Sequence, residues 1–135
     1  MPGHQEERLY SVSTGDVSFS LHAGAFHVLK LVVPPHLING ANLKGSFSVV
    51  GNMDGIEAFL VNEVDYDNWQ SGYTTFRYYD SGTVRKGSLD VPLLDPSPGI
   101  YYLVFQNHST AKSVKTIQAN VDLTYIDLWW PGKTE

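Results

Sequence analysis

From Thr116 to Tyr125 the chain alternates without a break, with Ile117, Ala119, Val121, Leu123 and Tyr125 separated by Gln118, Asn120, Asp122 and Thr124. A side-chain period of two belongs to β-strands, so this stretch predicts a strand with one buried and one wet face. Such strands are typical of antiparallel sheets in two-layer folds. The preceding stretch, Gly99 to Gln106, behaves differently. Tyr101, Leu103 and Phe105 share one face, Tyr102 and Val104 share the other, and both faces are apolar. That predicts a central strand covered on both sides.

Shorter runs repeat the theme at Asp16–Leu21, Ala25–Val33, Gly45–Val50, Ile56–Val61, Thr74–Tyr79 and Thr83–Val91. Turn formers stand between or beside them: Gly24, Pro34-Pro35, Asn39-Gly40, Gly51-Asn52, Asp54-Gly55, Ser71-Gly72, Ser81-Gly82 and Pro96 to Gly99. About eight or nine short strands in an all-β chain of 135 residues predict one domain, an all-β sandwich or barrel; a single antiparallel β-sandwich is expected, with a jelly roll as one candidate topology. The expected core is Phe19, Phe26, Phe47, Ile56, Tyr101, Leu103, Phe105, Val121 and Leu123. At most one short helical turn fits, near residues 62–70 (NEVDYDNWQ), where Asn62 is a natural N-cap and Glu63 follows it. The expected division is a polar N-terminal arm at 1–15, the sandwich at 16–126, and a tail at 127–135 whose Pro131-Gly132 keeps it outside the sheet pairings.

Composition closes off several function classes. Hydrophobic residues make up 42% and charged residues 17%, which is not the signature of a disordered chain. There are no cysteines, so disulfides, zinc ribbons and thiol catalysis are excluded. A net charge of −5 argues against a nucleic-acid surface. No run approaches the roughly 18 apolar residues of a membrane-spanning helix. The polar opening MPGHQEER lacks the basic start and apolar run of a signal peptide. The expected location is cytoplasmic if the chain is complete as given.

The segment Gly99-Ile-Tyr-Tyr-Leu-Val-Phe-Gln-Asn107, a short loop reaching Lys115, and then Ile117 to Tyr125 resembles the two closing strands of GOLD-like β-sandwich domains. Those strands run from Gly-x-Tyr to a Phe-x-Asn corner and on to a Lys-Thr/Val strand. Over residues 16–125 the chain is most similar to an uncharacterised bacterial group of such domains. That likeness takes in Gly45-x-Phe47, Gly51-Asn52-x-Asp54-x-Ile56, Asp67-Asn68-Trp69 and Tyr79 with Ser81-Gly82. The resemblance implies a non-catalytic module making protein–protein contacts. It also implies an extracytoplasmic position, as the soluble part of a larger envelope protein. The disulfide, coiled coil and membrane anchor of the eukaryotic cargo receptors are not found here, so cargo-receptor function is not carried over.

Three constellations are candidates for binding. In Glu63-Val-Asp65-Tyr66-Asp67-Asn68-Trp69, Asp65 and Asp67 are potential oxygen ligands for calcium. An EF-hand is excluded, because Gln70 stands where its glycine belongs and Phe76 where its glutamate belongs. The simpler reading is a polar connection anchored by Trp69. Eight tyrosines, three tryptophans and six phenylalanines raise a carbohydrate-binding alternative, with Tyr66, Trp69 and Tyr73 as an aromatic platform. The simpler reading is core packing. Trp129 and Trp130 are adjacent and cannot both point inward from one strand, which makes them candidate anchors for self-association or an unknown protein partner.

Catalysis finds no support. His4, His22, His27, His36 and His108 form no zinc pair, and there is no Gly-x-Ser-x-Gly elbow or phosphate-binding loop. His27 lies in an apolar strand and reads as a structural histidine. Arg77, Arg85 and Lys86 read as guards of exposed or edge strands.

Overall fold

A computed structural model describes residues 6–34, 38–51, 54–93, 99–108 and 114–129. It contains eight strands and one helix: β1 (Glu6–Leu21), β2 (Phe26–Val33), β3 (Ile38–Val49), β4 (Ile56–Asn62), α1 (Glu63–Gln70), β5 (Tyr79–Val84), β6 (Lys86–Leu93), β7 (Gly99–Gln106) and β8 (Lys115–Trp129). The pairing has a simple rule. First pairs with last, β1 with β8, then β2 with β7, β3 with β6 and β4 with β5, all antiparallel. The chain is one long double-stranded ribbon folded over on itself. Two further pairings, β3 with β8 and β4 with β7, close the roll. The result is sheet A, in the order β1-β8-β3-β6, packed on sheet B, in the order β2-β7-β4-β5. That is the strand order of a jelly-roll sandwich.

The two alternation patterns land where the sheets need them. β8 is central in sheet A, burying Ile117, Ala119, Val121 and Leu123 against sheet B while Gln118 and Asn120 face out. β7 is central in sheet B, and its two apolar faces are both used. Tyr101, Leu103 and Phe105 join the main core, and Val104 joins a second cluster on the opposite face. Between the sheets, Phe105 meets Phe47 edge-on at 5.5 Å and Phe19 at 5.2 Å. Seven of the nine expected core residues are buried. Phe19 is partly buried against that core. Phe26 is not in it: Leu29, Leu31 and Val33 take the inward parity of β2, which turns Phe26 outward, 41% exposed. His27 has the inward parity and stacks on Phe19 at 4.0 Å.

Several strand boundaries differ from expectation, and β-bulges explain three of them. Register shifts interrupt β1 between Ser13 and Asp16, β3 between Ile38 and Ala41, and the β4–β5 pair between Glu57 and Phe59. At these places Gly15, Gly40 and Gly82 hold positive φ, the conformation a bulge residue adopts most easily without a Cβ. Asn39-Gly40 and Ser81-Gly82, expected as turns, therefore lie inside strands. The bulge in β1 also reverses its parity. Val12 pairs with Leu123, whereas Val17 pairs with Ala119, so even positions face the core side before the bulge and odd positions after it. The Thr14 hydroxyl accepts from Val121 N at 3.1 Å and repairs the interrupted ladder. The expected strand at Asp16 accordingly begins at Glu6, and residues 127–129 of the expected tail continue β8. Glu6 pairs with Trp129, Glu7 with Leu128 and Arg8 with Asp127. The run expected as a strand at Thr74–Tyr79 enters a sheet only at Tyr79. Trp130, Pro35, Asn52 and the turn residues at 96–98 lie outside the described residues.

Candidate functional site

Helix α1 is the one element outside the two sheets, and it lies on the outer face of sheet B. Asn62 caps it, its side-chain oxygen accepting from Asp65 N at 2.8 Å, and Glu63 and Asp65 place negative charge at the positive end of the helix. Tyr66 and Trp69, three residues apart, share the face turned to the sheet. There they pack on a cluster of Phe59, Val61 and Val104, with Val28 and Tyr102 beside it. Trp69 meets Phe59 edge-on at 5.1 Å and Phe26 at 5.0 Å, and Tyr66 stacks on Tyr102 at 4.1 Å. Burial pushes the Tyr66 hydroxyl above the usual tyrosine range, and the neighbouring Tyr102 and Asp67 push in the same direction.

The structure therefore brings Tyr66 and Trp69 together but against the sheet, and it leaves Tyr73 apart from them, 68% exposed in the connection that follows α1. Asp65 and Asp67 lie on a helix rather than a loop, and positions two apart on a helix do not share a face. Among the described residues, no group of three or more His, Asp or Glu side chains is placed to hold a metal ion. Trp129 pairs with Glu6 at the end of the β1–β8 ribbon; nothing further is described of its side chain.

Sequence reasoning missed a charged cluster on the same outer face. Arg77 Nη1 lies 3.1 Å from Glu57 Oε1 and 2.9 Å from Asp80 Oδ2, and its guanidinium sits 3.9 Å over the Phe59 ring. His108 Nε2 approaches the same Glu57 oxygen at 3.3 Å. Arg77 is thus a half-buried clamp between β4 and β5 rather than an edge guard. The available signal was Glu57, the one carboxylate in the otherwise apolar run Ile56–Val61. Arg85 donates to Gly51 O at 3.0 Å and holds the β3–β4 connection.

The residues that carry the GOLD-like resemblance have a structural explanation. Asn107 and Lys115 are the two buried polar side chains among the described residues. Asn107 Nδ2 donates to Leu21 O at 3.1 Å, while its backbone accepts from Gly24 N and donates to Ala25 O. Lys115 Nζ donates to Gly55 O at 3.0 Å. Together they tie the β1–β2 and β3–β4 connections to β7 and β8 at one end of the sandwich.

Exposed apolar side chains stand at the opposite end too, as they do elsewhere on the surface. Beyond the bulge, the β1–β8 ribbon carries Leu9 at 72% and Val12 at 55% exposure, with Tyr10 stacked on Tyr125 at 5.5 Å. β1 is also an edge strand, and among the described residues no strand lies on the other side of its backbone. Among the described residues, no helix is long and apolar enough to cross a membrane.

The chain matches no family model and no curated protein. Among solved structures it is similar to a chain described under the words "Bacillus endospore appendages form a novel family of disulfide-linked pili", with 12% identity, a TM-score of 0.43, and 93% of this chain and 92% of the other covered.

Proposed function

We propose that this chain is a non-catalytic protein–protein interaction module, and that its contact surface is the β1 edge of sheet A. The observation that carries this reading is the pairing of an open strand edge with exposed Leu9 and Val12. Soluble sandwiches blunt their edges with charge, proline, bulges or short strands. β6 has Lys86, Asp90 and Pro92, and β5 is short and bulged. In β1 the run Leu9-Tyr10-Ser11-Val12, between Arg8 and the bulge that begins at Ser13, has neither charge nor proline. The GOLD-like resemblance, which implies protein–protein contact, supports the same reading.

A second copy is the partner this edge suits, because two β1 edges related by a two-fold axis continue sheet A across the interface. Light scattering over a range of concentrations tests it. The wild-type chain is expected above the 15.0 kDa monomer mass, and the double variant Leu9→Lys, Val12→Lys is expected at that mass with an unchanged circular dichroism spectrum. A wild-type chain that stays monomeric at millimolar concentration overturns the reading.

A further inference from the structure

The outer face of sheet A is uneven in how its polar side chains are satisfied. Near the ribbon, Asn42 Nδ2 donates to Asp90 Oδ1 at 3.0 Å, and Lys44 Nζ lies 3.7 Å from Asp90 Oδ2. At the far end the hydroxyls of Ser20 and Thr116 are 3.1 Å apart. Between these pairs a groove of about 810 Å³ crosses all four strands. The strand registers set its polar side chains in two transverse rows. Asp16, Asn120, Ser46 and Ser88 form one row. Ser18, Gln118, Ser48 and Lys86 form the other. Within these rows Asn120 Nδ2 donates to Asp16 Oδ1 at 2.8 Å. The four serine hydroxyls, the Gln118 amide and the Lys86 ammonium take no side-chain hydrogen-bond partner among the described residues.

We propose that this groove binds a short, uncharged oligosaccharide. Serine hydroxyls and the glutamine amide both donate and accept, which matches the hydroxyl groups of a sugar, themselves both donors and acceptors. One lysine and one aspartate leave the groove with no net formal charge, so it has no field to draw a nucleic acid or other polyanion. Phe47 beneath the floor is buried, so the groove presents no exposed aromatic ring as an anchor for a peptide. Three interstrand spacings, about 14 Å, span the length of a short oligosaccharide. The groove volume is in the usual range for small-molecule sites. Recognition here works through hydrogen bonds from one sheet face, away from α1 and Tyr73. It does not depend on self-association, because the ribbon proposal uses the edge of β1 rather than this face.

The test is a titration of isotope-labelled protein with maltotriose, cellotriose, xylotriose and chitotriose, followed by amide chemical shifts. At least one is expected to move the amides of Ser46, Ser48, Gln118 and Lys86, with a millimolar or tighter dissociation constant. Ser48→Val, which favours the strand but removes a hydroxyl, is expected to weaken that binding about tenfold. Asn42→Ala, outside the groove, is expected to leave it unchanged. Shifts that centre on α1 and Tyr73, a Ser48→Val variant that binds as well as wild type, or no movement with any of the four sugars overturns the proposal.

Discussion

The two sheets of this sandwich are built to different specifications. Sheet A is covered on one face by sheet B and meets water on the other, where its side chains are mostly polar. Sheet B is covered twice, by sheet A and by α1, and its outer face holds an aromatic cluster and the Arg77–Glu57–Asp80 clamp. A helix of eight residues is too short to be stable alone. Its persistence here rests on the indole and phenol it places on β4 and β7. The wet sheet is thus free to carry a surface function, while the doubly covered sheet supplies rigidity.

Equilibrium urea unfolding separates the two layers of sheet B. Phe105→Ala removes the residue that links both sheets, and its expected cost is about 3–5 kcal/mol, enough to leave much of the population unfolded. Trp69→Ala empties only the outer cluster, where the indole is partly exposed, and should cost about 2 kcal/mol. If the two variants lose equal stability, α1 is part of the main core and the distinction between layers fails. Asn62→Ala should cost about 1 kcal/mol by removing the helix cap, and it should also red-shift Trp69 fluorescence as the helix loosens.

The smallest expected effect is an alkaline one. Tyr66 and Tyr79 both titrate above the ordinary tyrosine range, each chiefly through burial, with Asp80 adding to the shift at Tyr79. The folded state therefore holds their protons more tightly than the unfolded chain does. Their contribution to stability should be complete below about pH 10 and fall as the pH rises through the folded values. Tyr66→Phe should flatten that fall in the outer layer. Tyr79→Phe should flatten it at the rim, where the Tyr79 hydroxyl donates to Ser88 O at 3.2 Å and bridges the two sheets. A melting temperature independent of pH across this range in the wild type would remove the basis for both.

Much of this architecture was legible in local patterns. The contrast between β7, apolar on both faces, and β8, apolar on one, anticipated which sheet carries a second layer. Asn62 announced the start of α1. What escaped detection depended on partners distant in sequence. The bulge at Thr14-Gly15 reverses the side-chain parity of β1, so its first half does not continue the alternation of the second and reads as a polar arm. Phe26 looks like a core residue until the parity of Leu29, Leu31 and Val33 turns it outward. Arg77, just before β5, meets Glu57 on β4, and the two rows of the sheet A groove exist only once four strands are in register. The charges and hydroxyls of a sheet surface are visible in a sequence, but their neighbours are set by pairings across dozens of residues.

The ribbon rule also has a kinetic consequence. Because β1 waits for β8, and β3 borders β8 as well, sheet A has no centre until the last strand has been synthesised. Hardly any native pairing is local, and chains whose contacts join such distant segments fold slowly, typically in milliseconds to seconds. On a ribosome β1 and β3 would emerge before the strand that pairs with both, with the edges meant for β8 open. The interval before β8 arrives is when sheet A is most exposed to aggregation.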